Sequence, residues 1–200
     1  MGAAWDRFYE NSPRPWAGAV ELPALGAGWR VLETGCGGGR LLLPLVRSRP
    51  DLALTGVDFS ETALKGLARQ CPGILFQADV SALPFRDQSF DAALCRHVLE
   101  HLVSEGRKAA ATELLRVARP GGRIFFEGFS TGDARFGKGR QVEPSTFARG
   151  DGISYHYFTA QEVGQLFSAA RAVDPRERTW EERAGRTRMK RAVIEAEILR

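Results

Sequence analysis

Short apolar runs alternate with helical patterns along the first two-thirds of the chain. Five apolar runs predict β-strands, at residues 29–33, 52–57, 74–76, 90–94 and 123–129. Between them, apolar residues recur at helical spacing and predict helices over 40–47, 61–70 and 98–118. Strands that alternate with helices are typical of a parallel sheet with helices on both faces. The pattern therefore predicts an α/β fold.

The pattern changes in the last third of the chain. Residues 130–152 are rich in glycine and poor in aliphatic residues, so we expect a long loop or lid there. Thr159 and Glu162 have the spacing of a capping box and predict a helix that ends near residue 170. In the tail, apolar residues at 192, 194, 196 and 198 alternate with 191, 193, 195 and 197, which predicts a strand, with a terminal helix as the alternative. With neither repeats nor a linker, residues 1–200 are predicted to form a single domain.

The composition narrows the classes of protein to consider. The 200 residues are 44% hydrophobic and 26% charged, as in globular proteins, and no run approaches the roughly 20 apolar residues of a membrane span. The first residues do not resemble a secretory signal, and the three cysteines form no disulfide framework. We therefore expect a cytoplasmic protein without a membrane partner. The net charge of +4 permits a nucleic-acid partner without requiring one.

Candidate ligand-binding residues follow three of the predicted strands. The glycine-rich segment 35–39 follows the first strand, but Arg40 stands where the dinucleotide fingerprint requires glycine. Asp58 ends the second strand, where a carboxylate can bind ribose hydroxyls, and Asp79 follows the third, where it can accept from an adenine amine. Each feature alone has a structural alternative: a plain turn, a helix cap or a solvated turn residue. Together they predict a site for a nucleoside without a diphosphate.

These motifs resemble those of class I S-adenosylmethionine-dependent methyltransferases, with a methyltransferase type 11-like core. The matching segments are 31–39, 56–60, 78–80, 82–85, 89–91, 97–102 and 119–122. The resemblance implies a Rossmann-like seven-stranded sheet with helices on both faces and an antiparallel last strand, with S-adenosylmethionine as the cofactor. It also implies a set of cofactor-binding residues on these motifs, namely Glu33, Gly35, Gly37, Asp58, Phe59, Asp79, Val80 and Arg96.

A narrower resemblance extends over nearly the whole chain. Segments 5–9, 42–45, 149–152 and 157–159 are similar to the tRNA N3-methylcytidine methyltransferases. This similarity implies a lid over residues 1–28, with Trp5 and Tyr9 over the cofactor, and a substrate loop over residues 130–158. The expected substrate contacts within that loop are Arg135, Phe136, Asp151 and His156. The segment 97–102 instead follows the pattern of small-molecule methyltransferases.

The sequence does not identify the methyl acceptor or the binding partners. Arg188 and Arg191 belong to a basic cluster in the tail, which we expect to contact RNA if it lies at the mouth of the cofactor site. The first hypothesis is therefore a methyltransferase acting on a tRNA base, with no metal. The alternatives are a small-molecule methyltransferase, in which His156 would act as a base, and a non-catalytic partner subunit. The sequence indicates neither a catalytic residue nor an oligomeric state.

Overall fold

The structure, a computed structural model, describes residues 2–11, 20–71, 74–184 and 187–200. The α-helices within these ranges are α1 (Gly2–Asn11), α2 (Leu42–Ser48), α3 (Glu61–Ala68), α4 (Ser104–Val117) and α5 (Ala160–Leu166). The strands are β1 (Arg30–Thr34), β2 (Ala53–Asp58), β3 (Leu75–Gln77), β4 (Phe90–Arg96), β5 (Ala118–Phe129), β6 (Arg140–Glu143), β7 (Thr146–Ala148), β8 (Ser154–His156), β9 (Ala172–Ala184) and β10 (Thr187–Leu199). Within the described ranges, no helix is long and apolar enough to cross a membrane.

Seven strands form one sheet in the order β3-β2-β1-β4-β5-β10-β9. The pairs from β3 to β5 are parallel, whereas β10 runs antiparallel to both β5 and β9. The predicted seven-stranded α/β sheet with an antiparallel last strand is therefore confirmed. The chain reverses its strand order between β3 and β4, which brings the carboxyl ends of β1, β2 and β4 to one crevice.

The core lies on both faces of this sheet, because successive side chains of a strand point to opposite sides. Leu32 of β1 packs in a cluster with Leu114 of α4 and with Phe167, the residue after α5. The preceding residue, Val31, packs on the other face with Leu45 of α2. All five of these side chains are less than 2% exposed. Helices therefore cover both faces, as the sequence predicted.

The predicted helix over 98–118 is shorter in the structure. Residues 99–101 form a single 3-10 turn, and α4 begins only at Ser104. His97 has a φ of +56°, and Leu102 and Val103 have extended backbone angles, so helical hydrogen bonding cannot run through this segment. At its other end α4 stops at Val117, and β5 begins at the next residue. This interruption places residues 97–102 against the carboxyl end of β4.

The predicted loop over 130–152 is wrong in its detail, because this region contains strands. β6, β7 and β8 form a separate antiparallel sheet of three strands. The strands are only three or four residues long, too short for a pattern of alternation to identify them.

The tail is a strand, as predicted, and the helical alternative is wrong. β10 pairs with β9 over thirteen residues each. β9 had no apolar pattern to predict it, since its sequence AVDPRERTWEERA is mostly charged.

Candidate active site

A cavity of about 890 Å³ lies over the carboxyl ends of the parallel strands. All ten residues expected to bind the cofactor line it: Trp5, Tyr9, Glu33, Gly35, Gly37, Asp58, Phe59, Asp79, Val80 and Arg96. They come from α1, from the carboxyl ends of β1, β2 and β4, and from the loops after β1, β2 and β3, so one place in the sheet collects residues that are far apart in sequence. Residues 12–19 of the predicted lid lie outside the described residues.

The glycine loop leaves room that side chains would fill. Gly35 and Gly37 have φ angles of +61° and +50°, which other residues rarely adopt. A Cβ atom on Gly35 would lie 2.4 Å from Cγ2 of Val98, and one on Gly37 would lie 2.3 Å from the Tyr9 hydroxyl oxygen. The loop therefore requires glycine at these positions, and its bare backbone borders the cavity.

Asp58 is held in place by backbone donors. Its Oδ2 accepts from the amide of Gly37 and its Oδ1 from the amide of Ser60, each at 2.8 Å. Burial raises the pKa of this carboxyl, and the backbone hydrogen bonds oppose that rise. Each oxygen keeps a second lone pair, so the fixed carboxylate can accept hydrogen bonds from ligand hydroxyls.

Glu33 has a buried oxygen atom with no protein partner. The Oε2 atom of Glu33 makes no hydrogen bond, although the residue is only 7% exposed. Burial raises its pKa to about 8, against the pull of Arg96, and the charge of Asp58 adds to the rise. A buried polar atom without a partner is costly, so this atom fits a ligand that brings a donor or a positive charge. The amino and sulfonium groups of S-adenosylmethionine have that chemistry, and the residues present therefore fit this cofactor.

Helix α1 forms one wall of the cavity. Asp6 anchors it to the start of α3, because its Oδ1 accepts from the Ser60 hydroxyl at 2.6 Å and from the Thr62 amide at 3.2 Å. Ser60 also caps α3, because its side chain accepts from the Ala63 amide. The anchoring carboxylate was not among the expected site residues, although it lies in the segment 5–9 that resembles the tRNA enzymes.

The other end of the cavity combines arginines with aromatic rings. Arg135 lies over Phe129 at 4.2 Å from the ring centre. Arg149 lies 4.4 Å from the ring centre of Tyr155, and Arg178 lies 4.8 Å from that of Trp180. All six of these residues line the cavity. A guanidinium group over an aromatic face is stabilised by the ring quadrupole, and the N–H groups at its edge remain available to anionic ligands.

Of the six expected substrate contacts, two line this cavity. Arg135 and Arg191 both do, and both donate to the buried carboxylate of Asp133, each through Nε at 2.9 Å. Asp133 also accepts from the amide of Ala192 at 3.1 Å. This carboxylate connects the segment after β5 to β10 and fixes the two guanidinium groups at the cavity wall.

The remaining expected contacts lie elsewhere and stay predictions as substrate residues. Phe136 packs against other aromatic rings, and Arg188 is exposed and pairs with Glu181. Asp151 accepts from the amide of Ile153 and the hydroxyl of Tyr155.

The geometry does not support His156 as a base. Its ring is 2% exposed, with Nδ1 at 2.8 Å from the Thr146 hydroxyl oxygen and Nε2 at 2.8 Å from Oε1 of Glu162. Both nitrogen atoms are therefore occupied within the protein, and the ring holds β8 to β7 and α5 instead.

Comparison with known proteins places the chain among methyltransferase relatives. Residues 32–126 match the family model described as a methyltransferase domain. The chain is 32% identical over 165 residues to the tRNA N(3)-cytidine methyltransferase METTL2 of Danio rerio, covering 75% of this chain and 46% of that protein. It is 30% identical over 194 residues to the tRNA N(3)-methylcytidine methyltransferase Mettl2 of Drosophila melanogaster, covering 83% and 60%.

The solved structures agree on the fold. A SAM-dependent methyltransferase from Methanosarcina mazei superposes with a TM-score of 0.70 at 23% identity, covering 86% of this chain and 93% of that one. The chain spans about half the length of the METTL2 relative from Danio rerio.

Proposed function

We propose that this chain is an S-adenosylmethionine-dependent methyltransferase that methylates a base of RNA, with N3 of a tRNA cytidine as the first candidate. The cofactor supplies an electrophilic methyl group on a sulfonium. Glu33, Asp58 and Asp79 would hold it, while Trp5 and Tyr9 of α1 would form part of a lid over it.

The observation that carries this proposal is the set of arginines and aromatic rings at one end of the cavity. The end over β1, β2 and β3 contains the carboxyl groups of Glu33, Asp58 and Asp79, which suit a cofactor with donor groups and a positive charge. The end over β4, β5, β9 and β10 contains five arginines beside three aromatic rings, together with the carboxylates of Glu127, Glu182 and Glu195; the arginines are Arg96, Arg135, Arg149, Arg178 and Arg191. Arginines donate to phosphate and aromatic rings stack on bases, so this end suits a nucleotide.

A second groove continues the basic surface. It has a volume of about 920 Å³, and its lining includes Lys138, Arg140 and Arg149 but no acidic residue. Arg149 lines both the groove and the main cavity. A polyanion with one base in the cavity could therefore keep its phosphates on cationic side chains. The names of the relatives from Danio rerio and Drosophila melanogaster point to the same substrate class.

Incubation with labelled S-adenosylmethionine and total RNA, followed by digestion to nucleosides, tests the proposal. We expect labelled 3-methylcytidine. Lys138→Glu combined with Arg140→Glu should weaken RNA binding and reduce its salt dependence by about one phosphate contact for each cation removed. Arg69→Glu, an exposed position that lines neither cavity, is the matched control. Cofactor binding with no labelled RNA from any fraction would contradict the proposal.

A small-molecule acceptor is the second candidate. The cavity of about 890 Å³ lies within the range of roughly 300–1,000 Å³ that small ligands occupy. The same five arginines would then select an anionic acceptor. Transfer of the labelled methyl group to a small anion, with no label in RNA, would favour this candidate.

A further inference from the structure

Glu127 is a carboxylate at the acceptor end of the cavity that belongs to none of the motifs above. It lies near the carboxyl end of β5, beside Arg96 of β4 and Glu195 of β10 in the strand register. Its side chain is 14% exposed and lines the cavity. It is therefore accessible to a bound acceptor and largely shielded from water.

A strained histidine holds Glu127 in place. The ring of His97 lies between two carboxylates, with Nδ1 at 2.7 Å from Oε1 of Glu100 and Nε2 at 2.9 Å from Oε1 of Glu127. A neutral imidazole donates through only one nitrogen, so two carboxylate partners favour the doubly protonated, cationic ring. His97 adopts a φ of +56°, a conformation that bulky residues rarely adopt, and its amide donates to the carbonyl of Glu127. Strain of this kind is maintained where the surrounding structure requires one orientation.

The charges around Glu127 keep it ionised. Burial favours the protonated form, but the hydrogen bond and charge of His97, with the charges of Arg96 and Arg178, bring the pKa to about 2. Burial lowers the pKa of His97, while Glu100 and Glu127 outweigh that effect and raise it to about 9. At neutral pH the pair is therefore an imidazolium and a carboxylate, and His97 has no lone pair with which to act as a base.

One oxygen of this carboxylate remains available. Oε1 is occupied by His97, whereas Oε2 lies 3.7 Å from Nη2 of Arg178, which is too far for a hydrogen bond. An ionised carboxylate can only accept hydrogen bonds. The free oxygen therefore suits an N–H donor on the acceptor.

Resting on the proposed function, we propose that Glu127 accepts a hydrogen bond from the exocyclic amine of the acceptor base. It would thereby select bases whose reacting ring nitrogen is next to such an amine, as in N3 of cytidine or N1 of adenine. Uridine presents a carbonyl oxygen there, and two acceptors facing each other leave the buried carboxylate without a partner. His97 is the positioning residue for this contact.

The same contact becomes stronger during methyl transfer. The lone pair of the ring nitrogen forms the new N–C bond while the methyl–sulfur bond breaks and its electron pair stays on sulfur. No proton moves, and one positive charge passes to the base. That charge is shared between the ring nitrogen and the exocyclic amine, so the hydrogen bond to Glu127 gains strength in the transition state.

The test compares Glu127→Gln with the wild type on an RNA that the wild type methylates. We expect kcat to fall about 100-fold, the loss typical of removing one group that stabilises transition-state charge. KM for RNA should change by less than roughly threefold, because ground-state binding is little affected. Glu197→Gln, on β10 and paired with Arg123 outside the cavity, is the matched control and should keep the wild-type rate. Unchanged affinity for S-adenosylhomocysteine would show that the Glu127 variant is folded.

A second acceptor separates a direct contact from a structural effect. Replacing the target cytidine by a 2-pyrimidinone nucleotide keeps the ring nitrogen and removes the amine. If Glu127 contacts the amine, this replacement should lower kcat for the wild type much more than for Glu127→Gln. Equal losses in both proteins would overturn the contact, as would wild-type kcat in Glu127→Gln or methylation of a base without a neighbouring amine. Failure of the wild type to methylate any RNA would instead overturn the proposed function, and this inference with it.

Discussion

Cofactor affinity should rise with pH between 6 and 8, because Glu33 must lose a proton to accept a hydrogen bond from the cofactor amine. The buried carboxyl has a pKa of about 8 without ligand, chiefly because burial disfavours its charged form. Below that pH the protein binds the cofactor only after Glu33 releases its proton. Each pH unit below the pKa therefore costs a factor of about ten in affinity, or about 1.4 kcal/mol.

The expected change follows from the ionised fraction of Glu33. With a pKa of about 8, that fraction is about 1% at pH 6 and about 50% at pH 8, so affinity should rise about 50-fold. Other groups at the site also have shifted pKa values. The pKa values of Tyr9 and Cys36 are raised far above this window by burial, and that of His97 is about 9. Burial lowers the pKa of His101 and raises that of Asp58, so a variant of Glu33 is needed to assign the titrating proton.

Titration calorimetry with S-adenosylhomocysteine at pH 6, 7 and 8 measures this dependence. Glu33→Gln removes the titrating proton, so its affinity should be nearly constant over the window. A flat profile for the wild type would refute the assignment of the buried proton to Glu33. A slope that persists in the Gln variant would place the proton on another group.

Stability without ligand should follow the opposite trend. In the folded protein the pKa of Glu33 is raised from 4.5 to about 8, so between these values the folded state holds a proton that the unfolded state has released. The free energy of unfolding contributed by Glu33 therefore falls as pH rises through this range. Saturating S-adenosylhomocysteine should reduce that fall, which thermal unfolding at each pH can measure.

Three further predictions concern the walls of the site. Gly37→Ala should abolish most cofactor binding in calorimetry, because its Cβ would lie 2.3 Å from the Tyr9 hydroxyl oxygen. Its control is Gly66→Ala, in open space on α3, which should bind the cofactor normally and raise the free energy of unfolding by up to about 1 kcal/mol. Ser60→Ala removes the cap of α3 and the anchor of α1, and should lower the free energy of unfolding by about 1–2 kcal/mol and weaken cofactor binding. Asp133→Asn removes the charge that fixes two arginines at the cavity wall, and should raise KM for RNA in steady-state assays while affinity for S-adenosylhomocysteine stays unchanged.

The cofactor end of the site was predictable because its signals are local. Gly35, Asp58 and Asp79 each lie at or within two residues of the carboxyl end of a strand, and parallel strands bring these ends to one edge. Such positions can be recognised from a few neighbouring residues, without knowing which strands pair. These residues accordingly line one cavity in the structure.

The acceptor end depends on contacts that no short segment reveals. Arg178 and Trp180 lie on β9, whose charged sequence shows no apolar alternation. Glu127 lies on a strand that was predicted, but its role depends on His97, thirty positions earlier. His97 directly precedes the segment predicted as a helix over 98–118, where the structure has a single 3-10 turn before α4. Local sequence therefore did not indicate that Glu127 and His97 contact each other.

The register of the last two strands determines where the arginines point. On β10, Ile194, Ala196 and Ile198 pack into the core, so the alternate positions face the opposite side, where Arg191 and Glu195 line the cavity. The register pairs Arg191 with Trp180 of β9, which lines the same cavity. Since side chains alternate along a strand, a slip of one residue would bury the charges and expose the core. The same apolar alternation that stabilises the sheet edge therefore also keeps the basic and aromatic residues at the acceptor end.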